Sequence, residues 1–128
     1  MNTDASRAAI ARSLVSTGNT YRLKGAIAKA RAGKRVSIAY IGGSITEGFN
    51  ASSPEHSWAR LSCAAFSDLF ARGHKSDVTY LNAGMAGTPS TLGMIRYTRD
   101  VPHRLKAGPD IVFVEFAVND GDDPTSGA

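Results

Sequence analysis

The chain has 128 residues, 42% of them apolar and 20% charged, with a formal net charge of +4. That length suits one small domain, and the balance is that of a soluble globular protein rather than a disordered or fibrous one. The basic residues are scattered and densest from Arg22 to Arg35, with no nucleic-acid motif beside them; the lone Cys63 excludes an internal disulfide, no Cys/His cluster points to zinc, and no apolar run approaches the ~20 residues of a membrane span.

In chain order, Met1 to Ala11 lacks the apolar core of a signal peptide. As written the chain therefore reads as cytoplasmic; a secreted protein with its signal removed would read the same. Residues 1–18 are weakly patterned and are expected to form a lead-in to a domain over residues 19–128. Asn19 or Thr20 caps an expected helix over residues 21–32, with Leu23, Ile27 and Ala30 on its apolar face and Gly33 as its stop. Arg35 to Ile41 predicts a first strand. Ser52-Ser53-Pro54-Glu55 carries two overlapping helix-start signals, a Ser52/Glu55 capping box and a Ser53 cap followed by proline. Trp58, Leu61, Ala65, Phe66, Leu69 and Phe70 then recur at helical spacing and predict a stripe facing the core, with Gly73 ending the helix. Cys63, in the same stretch, reads as a small core residue.

Val78 to Leu81 predicts a short second strand, followed by a glycine-containing loop over residues 82–90. A third helical pattern covers residues 91–105, and Pro102 should break or kink it. After the turn at Gly108-Pro109, Ile111 to Val118 is the strongest strand signal; its nearly continuous apolar character predicts burial on both faces. Asn119-Asp120-Gly121 turns away from the sheet, and a polar tail runs to Ala128.

This alternation of helices and strands, joined by right-handed crossovers, predicts a three-layer parallel α/β arrangement. Parallel strands place the loops after all three strands at one edge of the sheet. Those loops carry Ser44, the glycines between Asn82 and Gly87, and Asn119. A serine at that edge is a nucleophile if a base reaches it, and backbone N–H groups with an Asn side chain are suitable donors to an oxyanion. Plainer readings exist for each. Ser44 could cap a helix, Gly84 and Gly87 could serve a turn, and Asn119 could form an Asx turn. Glu47 reads as a loop or helix-start carboxylate and Asp120 as a structural hydrogen-bond acceptor.

Gly42-Gly43-Ser44-Ile45-Thr46-Glu47-Gly48 resembles the first sequence block of the SGNH hydrolases, also called the GDSL esterase/lipase family. Asn82-Ala83-Gly84-Met85-Ala86-Gly87-Thr88 resembles the second block, and Ala117-Val118-Asn119-Asp120 the third. The resemblance runs from Val36 to Asp120. It implies that Ser44 is the nucleophile and that the Ser44 N–H, the Gly87 N–H and the Asn119 side chain form the oxyanion hole. It further implies a flavodoxin-like fold with strand order 2-1-3-4-5, hydrolysis of short acyl esters with acetyl groups on carbohydrate favoured, and no metal or organic cofactor. Gly43 stands where the family usually has aspartate, and Ala117 where it usually has glycine.

The family's fourth block, an Asp with a His three residues later, has no match after Asn119. Asp100 and His103 have that spacing, but they precede the last strand and so belong to the opposite edge of the sheet. His74 fails for the same reason. His56 starts a helix on the Ser44 side and is the one candidate able to approach the crevice. With strands 2, 1 and 3 only, the chain is expected to be the N-terminal portion of an SGNH domain. Its last strand would be an unpaired edge. The expected cover is the C-terminal remainder of the domain as a separate chain, which would supply the missing Asp-x-x-His block, with self-association second. The rival readings are a non-catalytic binding module with the same crevice and a nucleotide-binding α/β domain. The second lacks both the P-loop Lys-Ser/Thr and dinucleotide-fingerprint spacing.

Overall fold

The computed structural model describes residues 4–121, leaving the expected polar tail beyond Gly121 outside the described residues. Its elements are α1 (Asp4–Ser13), α2 (Tyr21–Arg31), β1 (Val36–Gly42), α3 (Ser44–Glu47), α4 (Trp58–Phe70), β2 (Val78–Gly84), α5 (Ser90–Asp100) and β3 (Ile111–Glu115). Short 3-10 turns lie at Pro54–His56, Lys75–Asp77 and Pro102–Arg104. The strands form one parallel sheet in the order β2-β1-β3. Helices cover both faces, so the expected three-layer, flavodoxin-like arrangement is present in incomplete form. Gly42 of β1 is level with Gly84 of β2 on one side and Glu115 of β3 on the other. That register brings the ends of all three strands to one line.

β1 is the centre of the core, buried along its whole length. Because strand side chains alternate, it feeds two clusters. Val36, Ile38 and Tyr40 pack with Ala30, Ala59 and Cys63 beneath α2 and α4. Ala39 and Ile41 pack with Leu81, Ala83, Val101, Leu105 and Phe116 on the α5 face.

Tyr40 is the largest fully buried side chain. Its ring stacks on Phe113 with centroids 4.9 Å apart and meets the edge of Trp58 at 5.3 Å, and its hydroxyl hydrogen-bonds Ser62 Oγ at 2.9 Å. Burial pushes the phenol up to about 12. The unfolded chain releases this proton near pH ~10, so the Tyr40 contribution is complete below pH ~10 and is lost as pH rises through about 12. Urea titrations should therefore show stability falling in that window, and Tyr40→Phe should flatten the fall. Tyr40→Ala removes the ring itself and should cost about 3–5 kcal/mol.

Several local expectations are corrected. α2 buries Ala26 and Ala30, while Leu23 is exposed, because the small side chains let the helix approach the sheet. The same holds in α4: Ala59, Cys63 and Ser67 face the sheet, Trp58, Phe66 and Phe70 flank them, and Leu61, Ala65 and Leu69 are exposed. α4 begins at Trp58, after the signals at residues 52–55. Ser57 is its cap, accepting the Arg60 N–H at 3.3 Å, and Pro54 opens a separate 3-10 turn. β2 runs on to Gly84, three residues beyond the expected end. β3 stops at Glu115 and is not buried on both faces; Phe113 and Val114 are exposed, since β3 pairs only with β1 among the described strands. Within the lead-in, α1 is a helix with no buried residue.

Candidate active site

The site grows from the ends of the three strands. β1 delivers Gly42, whose carbonyl accepts the Met85 N–H at 3.0 Å, and Gly43, whose N–H donates to Glu115 O at 3.2 Å. The loop after β1 is thus stitched to both neighbours. Gly43 caps α3, and Ser44 is its first residue. First-turn N–H groups have no acceptor inside the helix, which leaves the Ser44 amide available. Ser44 is half-buried, and its hydroxyl hydrogen-bonds none of the described residues.

The short α3 is strapped down on two sides. The fully buried Thr46 donates its hydroxyl to Glu115 Oε2 at 3.1 Å, and Glu115 Oε1 accepts the Ala117 N–H at 3.0 Å. Asn82 Nδ2 donates to Thr46 O at 2.8 Å, while Asn82 Oδ1 accepts the Gly84 N–H at 2.8 Å. Glu47 proves to be a loop anchor, accepting the Ala86 N–H at 3.1 Å.

The second loop bends at Gly87, which is exposed and has φ +71. A Cβ there would meet nothing within 4 Å, so the left-handed backbone, rather than space, calls for glycine. The following Thr88 is buried and donates its hydroxyl to Met85 O at 2.8 Å.

After β3, Phe116 O accepts the N–H groups of both Asn119 and Asp120 at 2.9 Å, which turns the chain over the sheet edge. Asp120 is the structural acceptor expected: its Oδ1 takes the Ser90 N–H at 2.7 Å, tying this turn to the start of α5. The same turn lays Asn119 Oδ1 against Gly43 so closely that a Cβ on residue 43 would overlap it. The carbonyl of Thr88 lies 3.5 Å from that same point. The space beside the residue before Ser44 is therefore bordered by the loop carrying Asn119 and the loop carrying Gly87, and all three loops meet at the C-terminal edge of the sheet.

The three histidines are dispersed. His56 is exposed in the turn before α4, with Nδ1 2.8 Å from Ser53 Oγ. His74 packs on Gly33, at the turn that precedes β1. His103 is exposed in the turn ahead of β3, next to Arg104, which lines a groove with Arg35, Ser37 and Thr79 at the edge where strands begin. Asp100 is engaged elsewhere: hydrogen bonds from Arg99 first, and from Arg96, outweigh its desolvation and hold its carboxyl at about 2. Among the described residues, no group of three or more His, Cys, Asp or Glu is placed to hold a metal ion.

Arg96 is a residue that the sequence reading missed. It is only 4% exposed, and its guanidinium donates to Ala83 O at 2.6 Å, Gly42 O at 3.0 Å and Asp100 Oδ2 at 3.1 Å. Its four-residue spacing to Asp100 was the available signal, but that spacing equally describes an ordinary surface pair on a helix.

Comparison with known proteins gives the family and similar solved structures. The GDSL-like Lipase/Acylhydrolase family matches residues 40–128, a span holding Ser44, Gly87 and Asn119. Two solved structures of a two-domain esterase (CEX) active on acetylated mannans are similar. One, co-crystallized with mannopentaose, is 34% identical with a TM-score of 0.72 over 84% of this chain. The other is 36% identical with a TM-score of 0.73 over 87%. This chain spans 28% of the length of each, and no curated protein matches it. No described helix is long and apolar enough to cross a membrane. With the family match covering the larger part of the sequence and all three converging loops, the chain belongs to the GDSL-like lipase/acylhydrolase family.

Proposed function

We propose that the crevice at the sheet edge is the nucleophile and oxyanion half of a serine ester hydrolase. Ser44 is the nucleophile, and its own N–H, the Gly87 N–H and the Asn119 side chain are the oxyanion donors. The observation that carries this reading is the position of Asn119 Oδ1 against Gly43, beside Ser44, with Thr88 O bordering the space a side chain at residue 43 would fill. In the reaction a histidine takes the Ser44 hydroxyl proton as the oxygen attacks an ester carbonyl. The donors hold the resulting oxyanion, the alcohol leaves, and water releases the acid.

The base comes from a further part of the domain that pairs with the outer edge of β3. Short acyl esters are the substrate class, with acetyl groups on carbohydrate favoured because the similar structures are of an esterase active on acetylated mannans.

A phosphonate probe tests the assignment without needing turnover. With imidazole supplied as the base, phosphonylation at Ser44, mapped by mass spectrometry, is expected and should vanish in Ser44→Ala. Asn119→Ala should slow it about 10²-fold, the usual loss for one oxyanion donor. Gly43→Ala should slow it too, because the new methyl displaces the Asn119 side chain. Failure to modify Ser44 in a folded sample would favour the alternative, a non-catalytic binding module that keeps the crevice.

A further inference from the structure

We propose that Arg96 is a positioning residue for the Ser44 crevice, holding the ends of β1 and β2 at the spacing the two following loops require. The inference rests on the ester-hydrolase reading of that crevice, but its geometry stands apart from it. The guanidinium is buried, and it reaches across from α5 to the carbonyls of Gly42 and Ala83. Gly42 immediately precedes the loop of Ser44, and Ala83 precedes the loop of Gly87. Gly42 O also accepts the Met85 N–H at 3.0 Å, so one carbonyl receives both the arginine and the second loop.

A planar fork suits this task, since two of its nitrogens reach two acceptors on adjacent strands at once. A helix side chain that served only the core would have been apolar. Burying a cation is costly unless its hydrogens are used. Here Nη1 and Nη2 take the two strand-end carbonyls, Asp100 supplies the counter-charge, and Nε has no partner. The bonding capacity of the buried group is thus concentrated on the two strand ends and their counter-ion. Arg96 makes no hydrogen bond to Gly87 or Asn119, and its effect on them would pass through Gly42 and Ala83. α5 is itself tied to the third loop by the bond from Ser90 N–H to Asp120. One helix therefore links all three loops of the crevice.

Hydrogen–deuterium exchange, read by mass spectrometry on peptides covering residues 42–49 and 83–89, tests the proposal without requiring activity. Arg96→Lys keeps the charge but loses the fork, and Arg96→Gln keeps a donor without the charge. In both, exchange in these two peptides is expected to quicken about tenfold or more, as one charge-assisted bond to each strand end is weakened. Peptides from α4, where Leu61 N–H bonds Ser57 O and Ala71 N–H bonds Ser67 O, should exchange at the wild-type rate. Unchanged exchange at the strand ends would overturn the proposal. So would a uniform rise across the chain, or loss of folding in both variants, since either assigns Arg96 to general stability. Phosphonylation of Ser44 separates this from the functional reading. A wild-type protein that never reacts defeats that reading, while the exchange result still decides the role of Arg96. In a reactive wild type, Arg96→Lys should slow labelling without unfolding the protein.

Discussion

Ester cleavage by the 128-residue chain is expected to run several orders of magnitude below that of a complete serine triad, and to rise when imidazole is added in solution. The reasoning starts from the base. A serine hydroxyl is a weak nucleophile until something takes its proton, and removing one member of a triad costs roughly 10⁴–10⁶-fold in rate. The histidines of this chain are His56, His74 and His103. His74 packs on Gly33, His103 precedes β3, and the imidazole of His56 bonds Ser53. Free imidazole can enter an open crevice and do the work of a general base. The measurement is hydrolysis of a short-chain aryl ester by wild type and Ser44→Ala across a range of imidazole concentrations, with cleavage by imidazole alone subtracted. A Ser44-dependent increment that grows with imidazole is the expected result. Robust Ser44-dependent turnover without imidazole would reveal a base already in place. His56→Ala would then be the first variant to make, because the Pro54–His56 turn leads into α4 on the Ser44 side.

The strand order and the meeting of three loops were legible because they follow from alternation and handedness, which depend on the whole pattern rather than on any one residue. Loop convergence needed only that Gly42, Gly84 and Glu115 end level, as parallel pairing makes them. The errors came where packing overrides pattern. In α4 the large apolar residues recur at helical spacing, yet Ala59, Cys63 and Ser67 make the close approach to the sheet. The hydrophobic period locates a helix better than it locates the residue on the contact line. β2 was read too short because Asn82 and Gly84 are poor strand formers. Pairing with Tyr40 and Gly42 carries them, and Asn82 uses its side chain to brace α3. Arg96 did not stand out, since no periodicity distinguishes an arginine whose hydrogens are spent on strand-end carbonyls. The glycine before Ser44 is now intelligible: Asn119 occupies the space that a side chain at residue 43 would need.

The outer edge of β3 should make the 128-residue chain associate with itself when no other strand is present. β3 pairs with β1 on one side only, and in the described residues its other side carries the unpaired N–H and C=O groups of a sheet edge. Apolar surface lies beside that edge: Val114 is 68% exposed, Val118 71% and Met94 72%. Ile41, Gly93, Met94, Tyr97, Val114 and Phe116 line an apolar groove of about 230 Å³ there. An edge that offers backbone pairing and apolar burial together is a template for another strand. A further part of the domain is the proposed natural occupant, and a second copy of β3 would be its substitute. Size-exclusion chromatography with light scattering, run at several concentrations, should show mass above that of the monomer and rising with concentration. Val114→Lys places a charge in the groove and on the edge without disturbing a buried position, so it should shift the distribution toward monomer while leaving the circular dichroism spectrum unchanged. Supplying the covering polypeptide should do the same to the wild type, and should also restore Ser44-dependent esterase activity. A wild-type chain that stays strictly monomeric at high concentration and binds no dye specific for exposed apolar surface would show that this edge needs no cover, and the proposal that a further part of the domain completes the site there would fall with it.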